Sequence, residues 1–500
     1  MMTANKLKPT YSLKELFMGI ADVTQDISIS GVAIDSRQVE EGDLFMAYTG
    51  TNLNGVDFIP DAIKAGAVAI AVEEDALIDE VESNIELIRV KNLKQYVGEI
   101  ASRFFNNPSK NINVIGVTGT NGKSTVAYMI AQSLNMMHKD AAFIGTLGYG
   151  RVNAIEQGSM TTPDPIQLQT LFSMWRNDFH SVAMEVSSHA LDQGRVNGTD
   201  FDIAIFTNLS RDHLDYHNTI EEYAVAKSLL FKMKGLKHAV INADDEYGQE
   251  LIAMLKDSVD IVAYSTNPDI QISNVKLVRA IAINHIDEFK KDIIIDTKEG
   301  RVTVTSALLG EFNASNILAT FIALYLTGLS KTDAAEAITR FYGVPGRMEC
   351  FNSKSKALLV VDYAHTPDAL KKALVSLRPH CKGKLYCIFG CGGDRDSGKR
   401  PQMGEIAETH ADVVVLTNDN PRSELPERIV SQILAGMKNK ERVAVRYDRS
   451  DAITNTFLEA EADDIVLIAG KGHETTQTIG SETTPFSDRE LARRLIGENA

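Results

Sequence analysis

Apolar residues are distributed along this chain in two alternating patterns. Short unbroken runs, among them INVIGV (112–117), VAMEV (182–186), IAIF (203–206) and AVIN (239–242), predict strands buried on both faces. The last third repeats the theme with LLVVD (358–362), LYCIFG (385–390), DVVVLT (412–417), RVAVR (442–446) and DIVLIAG (464–470). Between the runs lie helix-length segments. After Lys123, residues Val126, Met129, Ile130 and Leu134 return at helical spacing and predict one buried face. EEYAVAKSLLFK (221–232) reads as a helix with Lys227 among apolar neighbours. Turn formers punctuate the chain at NPSKN (107–111) and GVPGRMECFNSKSK (343–356), which predicts domains at 1–107, 108–345 and 346–500. Alternating strands and helices make the second and third α/β, with parallel sheets covered by helices. The first is a smaller domain with short runs such as AGAVAIAV (65–72) and a turn at Asn54-Gly55.

Length agrees with this division, since 500 residues suit three domains of about 150 residues each. A formal charge of −16 opposes any phosphate backbone, so no nucleic-acid partner is expected. It leaves small anions open, because these answer to local fields. No apolar run is long enough for a membrane span, and MMTANKLKPTYSLKELF lacks the apolar core of a secretory signal. Cys350, Cys381, Cys387 and Cys391 show no C-x-x-C spacing, so reduced thiols and a cytoplasmic address are expected.

Candidate chemistry begins at GVTGTNGKST (116–125). A strand, a glycine-rich turn and a helix start bring backbone N–H groups onto one anion, with Lys123 in reach of β- and γ-phosphates and the Ser124 hydroxyl suited to Mg²⁺. The bland alternative is a chance glycine-rich turn, which the GKS sequence in register with strand and helix disfavours. The common rule G-x-x-x-x-G-K-[ST] would put glycine at Val117, and this chain departs from it. TGTNGKST instead resembles the loop T-G-T-x-G-K-[ST] of the ATP-dependent Mur ligases and their folylpolyglutamate synthetase cousins. That resemblance implies nucleotide contacts from Gly119, Thr120, Asn121, Gly122, Lys123, Ser124 and Thr125, and transfer of phosphate to a substrate carboxylate before an amine captures it.

Further segments carry the same resemblance. In MEVSSHALDQGRV (184–196), Glu185 ends a buried strand, where an acidic residue commonly faces a nucleotide's metal; a solvated strand end is the alternative. In TNLSRDHLDYH (207–217), His213 and His217 stand four apart, but no third ligand at zinc spacing accompanies them. The family pattern implies Lys123, Glu185, His213 and Lys227 as catalytic residues. It implies a magnesium set of Ser124, Glu185, His213 and Lys227, the last once carbamylated; a snorkelling lysine is the plain reading. LLGEFNASNILA (308–319) and PGRME (345–349) imply Asn313, Asn316 and Arg347 around the nucleotide, and VDYAHTPDAL (361–370) brings Asp362 and His365 near it. Thr366 and Pro367 also read as a helix cap.

The amino-terminal segment VAIDSRQVEEGDLFMAYTGTNLNG (32–55) resembles a uridine-binding segment and implies UDP-sugar contacts at Ile34, Ser36, Thr51, Asn52 and Leu53. Thr161 and Thr162 of TTPDP, otherwise a proline turn, join Ser187, Gln193 and Arg195 on the same substrate. GCGGDRDSGKRP (390–401) lacks the G-x-G-x-x-G spacing of a dinucleotide site. TNDNPRSE (417–424) and AGKGHETTQ (469–477) each follow a strand, the place for ligand loops in α/β sheets. By resemblance, Arg395, Asp419, Asn420, Pro421, Arg422, Gly470 and Glu474 line an amino-acid pocket. Arg422 would grip the second carboxylate of meso-diaminopimelate, and Glu474 would meet its distal ammonium. The resemblance thus implies an α/β fold of three domains: a central P-loop-type ATPase sheet, a C-terminal Rossmann-like sheet and a smaller N-terminal domain. It also implies ATP and Mg²⁺ as cofactors and UDP-N-acetylmuramoyl dipeptide and meso-diaminopimelate as substrates; a monomer is expected. A lysine-adding or other Mur ligase, a folylpolyglutamate synthetase-like ligase and a non-enzymatic nucleotide switch stay open as alternatives.

Overall fold

A computed structural model describes residues 10–50, 53–78, 85–158, 160–256, 258–286, 290–352 and 356–497. Thr51 and Asn52 lie outside the described residues. The chain forms two compact units, one of residues 1–116, 139–204 and 226–237, the other of 117–138, 205–225 and 238–500.

The first unit holds a four-stranded parallel sheet in the order 31–33, 43–47, 69–73, 86–90. Its strand side chains alternate between faces as a period of two requires. Leu44 and Met46 pack with Leu93, Val97 and Ile100 of the helix Leu93–Phe104. Phe45 and Ala47 pack with Ile59 and Ala62 of the helix Ile59–Ala65. Each fully buried Leu, Ile or Phe contributes about 1.5–3 kcal/mol, so the two apolar layers fix the strand register. A second set of strands in this unit runs in the order 154–156, 148–151, 141–145, 181–185, 113–118, with 141–145 and 181–185 parallel. The helix Leu93–Phe104 comes against a neighbouring backbone turn at Gly98, where a Cβ would lie 2.1 Å from Asn197 O. Gly198, at φ +78°, would place a Cβ 2.4 Å from Gly98 O, so glycine is needed on both sides of the contact.

In the second unit, strands His238–Asn242, Asp260–Ser265 and Lys276–His285 are parallel neighbours, continued by the antiparallel strands Lys291–Thr297 and Gly300–Ser306. The helix Lys123–Met136 is buried on nearly every side, not on the single face that Val126, Met129, Ile130 and Leu134 predict. Helices Phe312–Leu326 and Lys331–Thr339 pack over its outer side and remove the solvent face. The segment 221–232 is α-helical only over Ile220–Ser228 and tightens into a 3₁₀ turn at Leu229–Lys232.

The last six-stranded sheet has the order 349–351, 358–362, 465–469, 385–389, 413–416, 444–445, and only its first strand is antiparallel to its neighbour. Leu370, Leu374, Met403 and Ile433 cover one face, and Ile453, Phe457 and Leu491 cover the other. This is a doubly wound sheet, and its parallel strands all point their carboxyl ends to one edge. RVAVR contributes only Ala444–Val445 as strand, since Arg442 closes a 3₁₀ turn and Arg446 turns out to pair with Glu459 at 2.9 Å. The four cysteines are free thiols, and burial pushes Cys391 up to about 12. No described helix is long and apolar enough to cross a membrane.

Gly98→Ala isolates the close approach. Helix propensity alone would stabilise the protein by about 1 kcal/mol. The Cβ clash predicts instead a net loss of about 1–3 kcal/mol in chemical denaturation; a gain in stability would show that the two backbones can separate freely.

Candidate active site

The strand Asn113–Thr118 and the helix Lys123–Met136 are separated only by Gly119–Gly122. Val117 is still a strand residue with no solvent exposure, so the left-handed turn residue falls at Gly119. That position explains the departure from the common glycine spacing. Gly119 has φ +141°, and a Cβ there would lie 2.0 Å from Thr207 Oγ1. Gly122 has φ +89° and would place a Cβ 2.6 Å from Asn316 Oδ1.

The loop is anchored along its length by the segment that follows strand Ile203–Phe206. Thr120 N–H donates to Asn208 O (2.8 Å), Asn121 N–H to Asn208 Oδ1 (3.0 Å), and Ser210 N–H to Thr120 Oγ1 (2.9 Å). Thr207 Oγ1 donates to Asn121 O at 2.6 Å. Lys123 Nζ is held over the turn by Gly119 O (3.0 Å) and Thr120 O (2.8 Å). The first-turn amides of a helix have no intrahelical acceptor, so the helix start at Lys123 suits an anion.

Nucleotide candidates gather around this loop. Asn313 and Asn316 are buried on the helix Phe312–Leu326; Asn313 Nδ2 donates to Leu309 O (2.6 Å) and its Oδ1 accepts from Asn316 Nδ2 (2.8 Å), which turns the Asn316 carbonyl to Gly122. Arg347 Nη2 donates to Ser124 Oγ at 2.9 Å, and its guanidinium lies 4.3 Å from the Tyr363 ring centroid. Arg347 Nε is buried with no hydrogen-bond partner among the described residues, an orphan donor beside the loop hydroxyl. Asp362 accepts from Met348 N–H at 2.7 Å; burial pushes its carboxyl up while Arg347 draws it down. Thr366 caps the helix Pro367–Leu377, and Asp368 in its first turn accepts from Asn121 Nδ2 at 2.9 Å.

Sequence reasoning passed over a charge cluster here. Burial pushes the Asp212 carboxyl up, yet His213, His365, Lys399 and Lys123 together bring it below its ordinary value. His365 moves down, through burial and then the Lys399 charge. Only the D-H dipeptide hinted at this, because the remaining partners are distant in sequence. His213 itself sits at φ 54°, with Nε2 3.4 Å from Asp212 Oδ2. His217 is buried against Tyr223, 5.2 Å between centroids. Among the described residues no group of three or more His, Cys, Asp or Glu is arranged to hold a metal ion. In the second unit the Ser124 hydroxyl is an oxygen donor of the kind a hard cation takes; in the first, Lys227 is buried (1% exposed) and as an ammonium supplies no ligand.

In the first unit, Glu185 is 1% exposed at the end of its strand, accepting from Thr146 N–H (2.8 Å) and Thr146 Oγ1 (3.2 Å). Thr162 Oγ1 donates to Glu185 O (2.9 Å) and accepts from Ser187 N–H (3.1 Å), so this hydroxyl ties two segments together. Thr161 Oγ1 meets Thr146 Oγ1 at 3.3 Å. Ser187 caps the helix Ser188–Asp192. Gln193 Oε1 accepts from Arg195 Nε (2.9 Å), and Arg195 Nη1 reaches Thr162 O (3.2 Å), which joins Gln193, Arg195 and Thr162 in one patch. Ser36 opens a 3₁₀ turn capped by Asp35, Ile34 packs on the sheet core, and Leu53 is 67% exposed.

The acceptor candidates occupy the carboxyl edge of the last sheet. Asp419 and Asn420 are buried after strand Val413–Leu416; Pro421 is buried and Arg422 half-buried. Gly470, at φ +115°, admits Asp419, whose Oδ2 would lie 2.5 Å from a Cβ. Arg422 adopts φ 53° and donates from Nη1 to Gly393 O at 2.8 Å. Arg395 is exposed on the facing loop. Glu474, offered by sequence to a ligand ammonium, has a protein ammonium already: its Oε2 accepts from the fully buried Lys471 (2.7 Å) and from Asn420 Nδ2 (2.9 Å). Burial pushes the Asp419 carboxyl up, against the pull of Arg449 and Lys471.

A strand, a glycine turn and a helix start suited to an anion define a phosphate-loop protein, and the last, doubly wound sheet carries arginine-bearing loops at its carboxyl edge. Family descriptions match in three places: "Mur ligase family, catalytic domain" over 28–105, "Mur ligase middle domain" over 117–324, and "Mur ligase, glutamate ligase domain" over 346–472. A Coxiella burnetii protein named UDP-N-acetylmuramoyl-L-alanyl-D-glutamate–2,6-diaminopimelate ligase is 46% identical over 95% of this chain and 97% of its own. A Pseudomonas aeruginosa protein of the same name is 43% identical over 97% of this chain and 98% of its own. A solved structure bearing that name aligns at TM-score 0.70 and 35% identity, covering 98% of this chain and 99% of that one. The chain belongs to the Mur ligase family.

Two substitutions probe the geometry. Gly119→Ala forces a Cβ into Thr207 at a positive φ, costs more than about 1 kcal/mol and lowers nucleotide affinity at least ~10-fold by calorimetry; unchanged affinity would mean the turn is not rigid. Asp419→Asn removes a carboxylate whose folded pKa stands above its unfolded one, so its ionised form weakens the fold at neutral pH. The melting temperature is expected to rise at pH 7.5, and the gain to shrink as pH falls below the raised folded pKa and to vanish below the ordinary carboxylate value. A lower melting temperature at pH 7.5 would show that Arg449 and Lys471 outweigh burial.

Proposed function

We propose that this protein is an ATP-dependent amide ligase that adds meso-2,6-diaminopimelate to the D-glutamyl carboxylate of UDP-N-acetylmuramoyl-L-alanyl-D-glutamate, through an acyl phosphate, in peptidoglycan precursor synthesis. The observation that carries this reading is the likeness, nearly end to end, to relatives of that name. The phosphate loop and the Arg422 loop support it locally. ATP and Mg²⁺ are its cofactors, residues 1–107 its UDP-sugar domain, 108–345 its ATP domain and 346–500 its amino-acid domain, and it works as a cytoplasmic monomer.

In this mechanism Ile34, Ser36, Leu53, Thr161, Ser187, Gln193 and Arg195 bind and orient the UDP-sugar dipeptide, Arg195 meeting its anionic groups. The glutamyl carboxylate attacks the γ-phosphorus of ATP, and ADP leaves. Lys123 and the loop amides lower the charge that builds on the phosphoryl oxygens, and Arg347 adds a guanidinium beside Ser124. A bound magnesium ion would supply further charge neutralisation on the phosphates. Toward it, Ser124 and Glu185 offer oxygen donors and His213 an imidazole, and Lys227 qualifies once carbamylated. The amine of diaminopimelate then attacks the acyl carbon, and phosphate leaves as the amide forms. Asp419 and Asn420 orient the amino-acid end, and Arg395 and Arg422 engage the carboxylates. Against lysine the half-buried Arg422 guanidinium would lack its carboxylate partner, which disfavours that acceptor.

The test is phosphate release with the purified UDP-sugar dipeptide, comparing diaminopimelate and lysine. Strong preference for diaminopimelate is expected, and Arg422→Ala should lower its kcat/KM by ~100-fold or more, about 2.7 kcal/mol of transition-state stabilisation. Equal turnover with lysine, or full activity in the variant, would overturn the acceptor assignment.

A further inference from the structure

The loops that carry Arg395 and Arg422 have no regular secondary structure, and each holds a non-glycine residue in left-handed backbone, Asp394 at φ 55° and Arg422 at φ 53°. The Arg422 backbone is bridged to Ile479, its N–H donating to Thr478 O (3.2 Å) and its O accepting from Gly480 N–H (2.7 Å); a second support joins the two loops to each other. Beneath both lies Arg400, in the first turn of the helix Lys399–His410 and without solvent exposure. Its Nη1 donates to Glu424 Oε2 (2.9 Å) and Gln432 Oε1 (2.6 Å), and its Nη2 to Glu424 Oε1 (2.7 Å) and Gly392 O (3.0 Å). Glu424 Oε1 in turn accepts Asp394 N–H at 2.7 Å.

The pair thus grips both loops at once. Gly393 N–H donates to Asn420 O (2.9 Å) and Ser423 N–H to Asp394 Oδ2 (3.1 Å), closing the seam above it. The shelf formed by Gly392 and Gly393 is where the two arginines come together. A Cβ on Gly392 would meet Arg422 Nη1 at 3.0 Å and Arg395 Cγ at 3.7 Å, and one on Gly393 would meet Pro421 O at 1.7 Å. Arg400 holds the carbonyl of that shelf from below. The Glu424 carboxyl is drawn down to about 2, chiefly by its hydrogen bonds from Arg400, so it stays ionised at neutral pH. Arg400 is fully buried while the Glu424 side chain stays 19% exposed; an ion pair taken largely out of water adds little net stability over apolar packing, and its best-attested use is to specify one arrangement.

We propose that Arg400 and Glu424 are positioning residues for acceptor selectivity: their ion pair fixes the Gly392–Gly393 shelf that aligns Arg395 and Arg422, and through it the preference for an amino acid with a second carboxylate. This rests on the acceptor reading given above. A bidentate grip on a carboxylate is lost with displacements of about 1 Å, on the scale of ~100-fold in rate. Arg400 has no solvent exposure and spends its guanidinium on Glu424, Gln432 and Gly392 O, so its effect passes through the shelf.

Glu424→Gln keeps the shape and removes the charge, and Arg400→Lys keeps the charge and removes the fork. In the full-length enzyme each is expected to raise KM for diaminopimelate ~10-fold or more, with KM for ATP and for the UDP-sugar dipeptide within about 2-fold of wild type. The ratio of kcat/KM for diaminopimelate over lysine should fall by a similar factor. A merely structural pair would lower all three substrates' parameters together and leave that ratio unchanged, which would overturn the proposal. If either variant loses nucleotide binding, Glu424→Asp serves instead: a fall in the ratio supports the role and an unchanged ratio refutes it. Wild type that does not discriminate between the acceptors refutes the underlying acceptor reading, whereas discriminating wild type with equally discriminating variants refutes only this inference.

Discussion

The close contact of Gly119 with Thr207, repeated at Gly122 against Asn316, is the constraint on which the phosphate-loop side of the molecule rests. Both glycines combine a positive φ with a neighbour that leaves no room for a Cβ. Together they draw the strand end, the loop Thr207–Ser210 and the helix Phe312–Leu326 onto one turn. The hydrogen bonds of Thr120 and Asn121 to Asn208 then use part of the turn's polar capacity on the protein itself. The amides left over at the helix start are fixed in direction by this bracing, which is the arrangement an anion site requires.

A different solution operates at the edge of the last sheet. There the chain buries whole cations and matches each with a carboxylate, fully buried at Asp488 and partly exposed at Glu474 and Glu424. Arg449 meets Asp488 at 2.8 Å, Lys471 meets Glu474 at 2.7 Å, and Arg400 meets Glu424 at 2.7 Å. Loops without helix or strand acquire fixed positions from these pairs, at the cost of desolvation that apolar packing would avoid. Asp419 stands apart, a buried carboxylate that two cations only partly offset. If this edge receives an amino acid as proposed, such a charge has a use there even where it weakens the fold.

Much of this was legible in the sequence because the relevant residues are neighbours along the chain. Strand, turn and helix at 112–136 are contiguous, so the glycine turn at the helix start could be read from the apolar pattern and the GKS sequence. The strands of the last sheet were visible as apolar runs for the same reason. Long-range pairings were not visible. Nothing in SGKRP marks Arg400 as buried beneath Glu424, and nothing in AGKGHE marks Lys471 as the partner of Glu474. The helix after Lys123 misled for a related reason. Its Ala, Ser and Tyr positions look compatible with solvent, and only the helices Phe312–Leu326 and Lys331–Thr339 packed over them make them interior.

The chemical core of the proposed reaction is that a phosphoryl group passes from the nucleotide to a carboxylate and leaves with one of its oxygens. Supplying the UDP-sugar dipeptide labelled with ¹⁸O in the glutamyl carboxylate, together with ATP and diaminopimelate, tests this directly. Mass spectrometry of the released phosphate should find one labelled oxygen for each amide formed. Amide formation accompanied by unlabelled phosphate would contradict the acyl-phosphate route.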